Sequence, residues 1–354
     1  MVRERFAPAM EGALLAAAFV MLAGHASAQS TTTFSLCTES GTLSSRVQFA
    51  DLQRAKQILA RRDKWAKQLS EFDLALRQKT AEPTSLQQFL AFASDAALDW
   101  TPEEQTAWRP LLEKLSAVLS GLNLRVPGIE LVKTSGREEF GFAYTRARSI
   151  MFPQSMASIP ITNPRAAFFL LAHELFHVLS RADSRLRDNL YALLGFEFVF
   201  GFEYPAEMES GRGSNPDAFE YEHAVTLQAG SERVQVIPLL HSRLPPAEVL
   251  RLPNIMESLD MALVSVDTAT GEVRRDGNGR PITYNLANTN WVPFMSRNTS
   301  YILHPEEVLA DNFAILIEWR ADGAVPSANP SGFRLNDMDL LNAIRDVLEA
   351  GCNR

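Results

Sequence analysis

The sequence predicts an α+β protein with a helical N-terminal subdomain, and three observations carry that prediction. Residues 51–122 repeat apolar positions at intervals of three and four with charges between them, the period of amphipathic helices. After Pro127 the pattern changes to short runs rich in β-branched and aromatic residues, bounded by Gly and Pro, as strands are. Asn163 and Pro164 then open an apolar helix of about seventeen residues, with a capping side chain before a proline at the first helical position.

Taken in order, LQRAKQILARRDKWAKQLSEFDLALRQ, SLQQFLAFASDAALDW and TPEEQTAWRPLLEKLSAVLSGL read as three or four helices. The last starts well, with Thr101 as cap, Pro102 at the first helical position and Glu103 and Glu104 in the first turn, where acids meet the positive end of the helix dipole. IELVKT and EFGFAYTRARSIMFP read as strands. Residues 185–298 are mixed: a helical start in RLRDNLYALLGF, a Gly/Pro/acid-rich loop in EYPAEMESGRGSNPDAFEYEH, then strand-like HAVTLQA, RVQVIPLLHS and MALVSVD. Pro305 opens a further helix, EEVLADNFAILIEW, and an amphipathic helix covers residues 336–349. The division expected is 1–28, 29–125 and 126–354.

The chain of 354 residues is 46% hydrophobic and 21% charged, ordinary for a globular protein with a sizeable core. A net charge of -8 with no block of Lys and Arg excludes an electrostatic surface for nucleic acid or anionic membrane. Arg3 and Arg5, an apolar run over residues 13–24 and Ala26-Ser27-Ala28 have the order of a cleaved secretory signal. The mature chain is expected to start near Gln29, without stable membrane insertion, in the periplasm or outside the cell. The two cysteines, Cys37 and Cys352, are read either as a disulfide tying the ends together or as two thiols.

The stretch FFLLAHELFHVLSRADS, residues 168–184, places His173, Glu174 and His177 among apolar neighbours that leave no wet face. Residues four apart share a helix face, so both imidazoles can point at one ion. This is H-E-x-x-H, in which two nitrogens hold zinc and the carboxylate serves as general base toward the attacking water. A hydrolytic zinc takes three protein ligands. Glu307 and Asp311 lie four apart on the later helix, so one can bind metal while the other accepts a hydrogen bond from a ligating imidazole. Asp311 inside that helix needs a reason, since Asp is a poor helix residue. Glu306, displaced around the helix, suits the role less, and as a first-turn acid it is explained by the helix dipole.

HELFH followed by a helix carrying EVLAD resembles the gluzincin branch of the zinc-dependent metallopeptidases, where H-E-x-x-H is paired with E-x-x-x-D. The resemblance implies His173, His177 and Glu307 as zinc ligands, Glu174 as general base and Asp311 as support behind a ligand. It also implies a zincin-like fold over residues 126–354, with a twisted sheet, an edge strand along the cleft and then the motif helix. FAYTRARSIMFP is the candidate for that edge, which would take a peptide by strand addition. A rival third ligand, Asp183, lies six residues after His177 as in the metzincin pattern. Ser180 stands there in place of the turn-forming Gly, which favours Glu307.

Donors for the developing oxyanion are sought among His223, His241, Tyr221, Tyr301 and Arg187, which the sequence does not rank. The acids Glu203, Glu207, Glu209, Asp217, Glu220 and Glu222 lack the spacing of a calcium loop and are read as a mobile, solvated lid or insertion. The expectation is an exported zinc metallopeptidase acting on a peptide or protein. The alternative is a non-catalytic zincin-like binding module of the cell envelope.

Overall fold

Two five-stranded sheets and thirteen helices are arranged in a computed structural model that describes residues 46–122, 126–253, 255–324, 326–328, 330 and 332–351. The segment read as a signal and both cysteines lie outside the described residues. Among the described residues no helix is long and apolar enough to cross a membrane.

The first sheet runs in the order β1 (Val47–Phe49), β3 (Ile129–Thr134), β5 (Ser149–Pro153) and β4 (Tyr144–Arg146), with β2 (Ala97–Leu98) pairing antiparallel to β3. β1 and β5 lie parallel to β3, whereas β4 turns back antiparallel to β5 and forms the edge. Successive side chains point to opposite faces, and both faces are buried here. Ile129, Leu131, Ile150 and Phe152 enter one core; Val132, Tyr144 and Met151 enter another.

Helices α1 (Leu52–Leu59), α2 (Lys64–Gln68) and α4 (Leu86–Ser94) cover the second face through Ile58, Trp65 and Phe89, while α3 (Glu71–Arg77) lies beside them. α5 (Pro102–Gly121) crosses to the first face, where Trp108 stacks on Phe152 at 4.8 Å. It begins with the cap read from its sequence, and the structure adds a capping box: the Thr101 hydroxyl accepts from the Glu104 amide, and the Glu104 carboxylate accepts from the Thr101 amide. The helical segment is therefore a layer on the same sheet, since β1 and β2 add directly to β3. Amphipathic periodicity marks an apolar face without naming its cover, so no boundary near residue 125 separates two cores.

After β5, the short helices α6 (Gln154–Ala157) and α7 (Ile159–Thr162) lead into α8 (Pro164–Ala182), which Asn163 caps by accepting from the Ala166 amide. α9 (Ser184–Leu193) follows. The second sheet is an antiparallel meander of β6 (Phe196–Phe198), β7 (His223–Ala229), β8 (Glu232–Ser242), β9 (Leu259–Ser265) and β10 (Thr283–Tyr284), with α10 (Pro246–Val249) between β8 and β9. α11 (Trp291–Met295), α12 (Pro305–Asp322) and α13 (Met338–Gly351) complete the chain. α8 and α12 pack along one another at the centre of the main core, with Phe176 against Phe313 at 5.7 Å.

Replacing Phe152 with Ala should cost about 3–5 kcal/mol, because its ring joins the sheet to α5. Urea unfolding checks this, and tryptophan fluorescence should report loss of structure around Trp100 and Trp108 in the same step.

Candidate metal centre

α8 and α12 together place four titratable groups where a soluble helix pair would have only apolar side chains. His173, Glu174 and His177 on α8 and Glu307 on α12 are each at most 8% exposed. The edge-to-face imidazoles stand 4.9 Å apart, as the spacing of four on one helix face dictates. Glu307 Oε2 faces both rings, 3.3 Å from His173 Nε2 and 3.6 Å from His177 Nε2.

The opposite ring nitrogens are held from behind. His173 Nδ1 lies 2.9 Å from Asp311 Oδ1, and Thr299 donates its hydroxyl to Asp311 Oδ2. His177 Nδ1 lies 3.0 Å from Glu306 Oε1, whose second oxygen accepts from Ser180 at 2.8 Å and from Tyr191 at 2.7 Å. A carboxylate on Nδ1 fixes the ring and leaves Nε2 directed into the shared space. Asp311 thus sits where the sequence put it. Glu306, which the dipole argument set aside, performs the same task for the other imidazole.

Asp183 is not drawn in. It ends α8 and caps α9, accepting from the Leu186 amide at 3.0 Å. Two residues missed as site members come instead from the acid-rich loop: Asn215 donates to Glu307 Oε1, and Asp217 lies within 4.8 Å of the ligand atoms of Glu174 and His177. The loop is clamped by buried charge. Arg77 donates to Asp73 and to both oxygens of Glu139, then to the Ser214 carbonyl at 2.8 Å, while the Ser214 amide donates to Asp73 at 3.0 Å. Among the oxyanion candidates, Tyr301 stands at this site with its ring parallel to that of His173 at 6.2 Å, and His223 pairs with Asp188.

The electrostatics follow from this crowding. Burial and then Asp217 push Glu174 up to about 8, and its Oε2 is buried without a hydrogen-bond partner. Burial opposes the charging of His177, yet Asp217 and Glu307 hold it up to about 9. Burial would raise Glu307, but His177 and His173 hold it down to about 2. Each cation–anion pair exists because desolvated carboxylates need positive charge beside them.

Donors around a four-coordinate ion with bonds of about 2.0–2.1 Å lie roughly 3.3–3.4 Å apart. The separations of 3.3 and 3.6 Å from Glu307 Oε2 to the two Nε2 atoms match that edge. His173, His177 and Glu307 therefore form a buried cluster with the donor set and spacing to hold a metal ion. A cavity of about 360 Å3 opens onto it, walled by Phe140, Phe142, Met156, Phe169, Leu170 and Leu303. Comparison with family models, curated proteins and solved structures finds no match to this chain.

His304, at the N-terminus of α12, accepts from the Glu306 amide through Nδ1, which only a neutral ring can do. Burial lowers it to about 4 from an ordinary 6.5. A depressed value contributes stability above pH 6.5 that is lost as pH falls toward 4, up to roughly 3 kcal/mol. In His304→Asn, which keeps a capping oxygen without a titrating ring, urea midpoints should fall less between pH 6.5 and 4 than in the parent.

Proposed function

We propose that the chain is a zinc-dependent hydrolase of peptide bonds, acting in the periplasm or outside the cell. The observation that carries the reading is the convergence of two imidazole nitrogens on one carboxylate oxygen at 3.3 and 3.6 Å, each imidazole being backed by a second carboxylate. Nitrogen and oxygen donors of this kind suit zinc. Zinc bound by such ligands lowers the pKa of water to about 7 and polarises a carbonyl.

The rest is the work of this chain's own residues. His173, His177 and Glu307 would hold the ion, with Asp311 and Glu306 keeping the rings turned toward it. Glu174 follows His173 on α8 without being part of the ligand trio, and its unpartnered Oε2 is free to take a proton from an attacking water. The apolar walls of the cavity, Phe140, Phe142, Met156, Phe169, Leu170 and Leu303 among them, would take apolar side chains of a substrate. β4, an antiparallel edge strand shortly before the motif helix, supports the zincin-like reading of the sheet. A purely binding module would have no use for a desolvated carboxyl that costs stability, which disfavours the alternative from the cell envelope.

Elemental analysis of the purified protein should find one zinc per chain, lost in Glu307→Ala and kept in Asp183→Ala. Glu174→Gln should keep the zinc and lower peptide turnover by at least about a hundredfold; full turnover in that variant would refute its role as base. Asp311→Ala should weaken zinc binding by about ten- to a hundredfold, read by competition with a chelating dye.

A further inference from the structure

We propose that Asp217 forms an acceptor subsite for a free α-ammonium group, which makes the peptidase proposed above, on which this inference rests, an enzyme of amino termini. Three features of the cleft lead there.

The edge strand is stopped at one place. The Thr145 amide in β4 donates to Asp217 Oδ1 at 2.9 Å, and the Thr145 hydroxyl donates to the same oxygen. That amide points away from β5, where a peptide adding to the edge would find its partner. A side-chain carboxylate already fills the position, so an extended substrate cannot run on past Thr145.

The stop is anionic. Glu139, Glu174, Asp217, Glu307 and Asp311 line the cavity, and no Lys or Arg does. Arg181 stands behind the wall, donating to the Thr145 hydroxyl and to the Pro216 carbonyl, and its Nη2 lies 3.6 Å from Asp217 Oδ1, leaving Oδ2 for a ligand. A chain end that is itself a carboxylate would meet repulsion here. An ammonium would meet Asp217 Oδ2, which carries no hydrogen bond among the described residues, since Thr145 uses Oδ1 alone.

The distance is right for the first residue of a substrate. An α-nitrogen is two bonds from its carbonyl carbon, so its acceptor must lie close to the groups that handle that carbonyl. The Asp217 carboxylate is within 4.8 Å of ligand atoms of both Glu174 and His177. Thr145 and the Ser214 anchor hold it in place before any ligand arrives, which keeps the ordering cost low.

Calorimetric titration of the full-length, zinc-containing protein with L-leucinol and N-acetyl-L-leucinol tests the subsite without turnover. Acetylation should weaken binding by about ten- to a hundredfold, the range for a charge-assisted hydrogen bond. Asp217→Asn should abolish the preference while metal content stays the same. Equal binding of the two ligands to the parent protein would overturn the proposal even if the variant fails to fold. So would a second metal ion, found in the parent and lost in Asp217→Asn, since Glu174, His177 and Asp217 would then be its ligands. Cleavage of Leu-Ala-Ala and its N-acetyl form separates the two readings: a leucinol preference with neither peptide cut leaves the subsite standing and defeats the hydrolase.

Discussion

Burial of three ionisable groups on one turn of α8 is the constraint around which the molecule is arranged. His173, Glu174 and His177 cannot be desolvated alone, and among the described residues the helix that answers them is α12. His173 meets Asp311 while His177 meets Glu306, so the higher number on one helix pairs with the lower on the other and the two run antiparallel. Glu307 lies between, facing both rings. A one-residue slip would leave buried charges without partners, each costing several kcal/mol. The apolar contacts, Phe176 on Phe313 among them, add area to the interface. The charges set its register.

This explains which parts were legible in the sequence. The starts of α5, α8 and α12 are visible because the signals are local: Thr101, Asn163 and the prolines at the first helical positions act within a turn, whereas the cap of α12, His304, carries no such signal. The metal cluster was visible because each half lies on one helix, at a spacing that geometry converts into a shared face. Glu306 is missed because it is displaced around the helix from the face that Glu307 and Asp311 share. Its hydrogen bonds to Ser180 and Tyr191 come from residues more than a hundred positions earlier, which no periodicity encodes. The helical segment before residue 123 was read as separate for a related cause, since an apolar stripe does not state what it packs against.

Asn215 and Asp217 were hidden more deeply. Nothing in SGRGSNPDAFEYEH distinguishes the two residues that enter the site from the acids that stay outside it, such as Glu220, which pairs with Lys64 and Arg187. The difference is made by Arg77, from a helix some 140 residues earlier, whose guanidinium holds Ser214 by its carbonyl while Asp73 holds it by its amide. The backbone of Ser214 is thereby fixed next to the two residues that reach Glu307 and Glu174. A loop rich in Gly and acids would otherwise be the most mobile part of the chain; clamped this way, it becomes a wall of the cleft.

The same fold treats its buried acids in two opposite ways, and the contrast separates structure from chemistry. Arg77 donates once to Asp73 and twice to Glu139, the arrangement expected where charge serves to hold chain segments together, although burial still raises Glu139 to about 7. Glu174 and Asp217 are compensated more loosely: Arg181 stands 3.6 Å from one oxygen of Asp217, His177 lies beside both acids, and neither acid has a bidentate partner. Desolvation then raises both, Glu174 to about 8. A sequence under selection for stability alone would pair both acids as closely as Arg77 pairs Glu139, because a partly compensated buried carboxylate lowers stability. Leaving them close to each other keeps two acids beside His173 and His177 in a cavity whose remaining walls are largely apolar, where a positive group of a ligand would relieve their mutual repulsion.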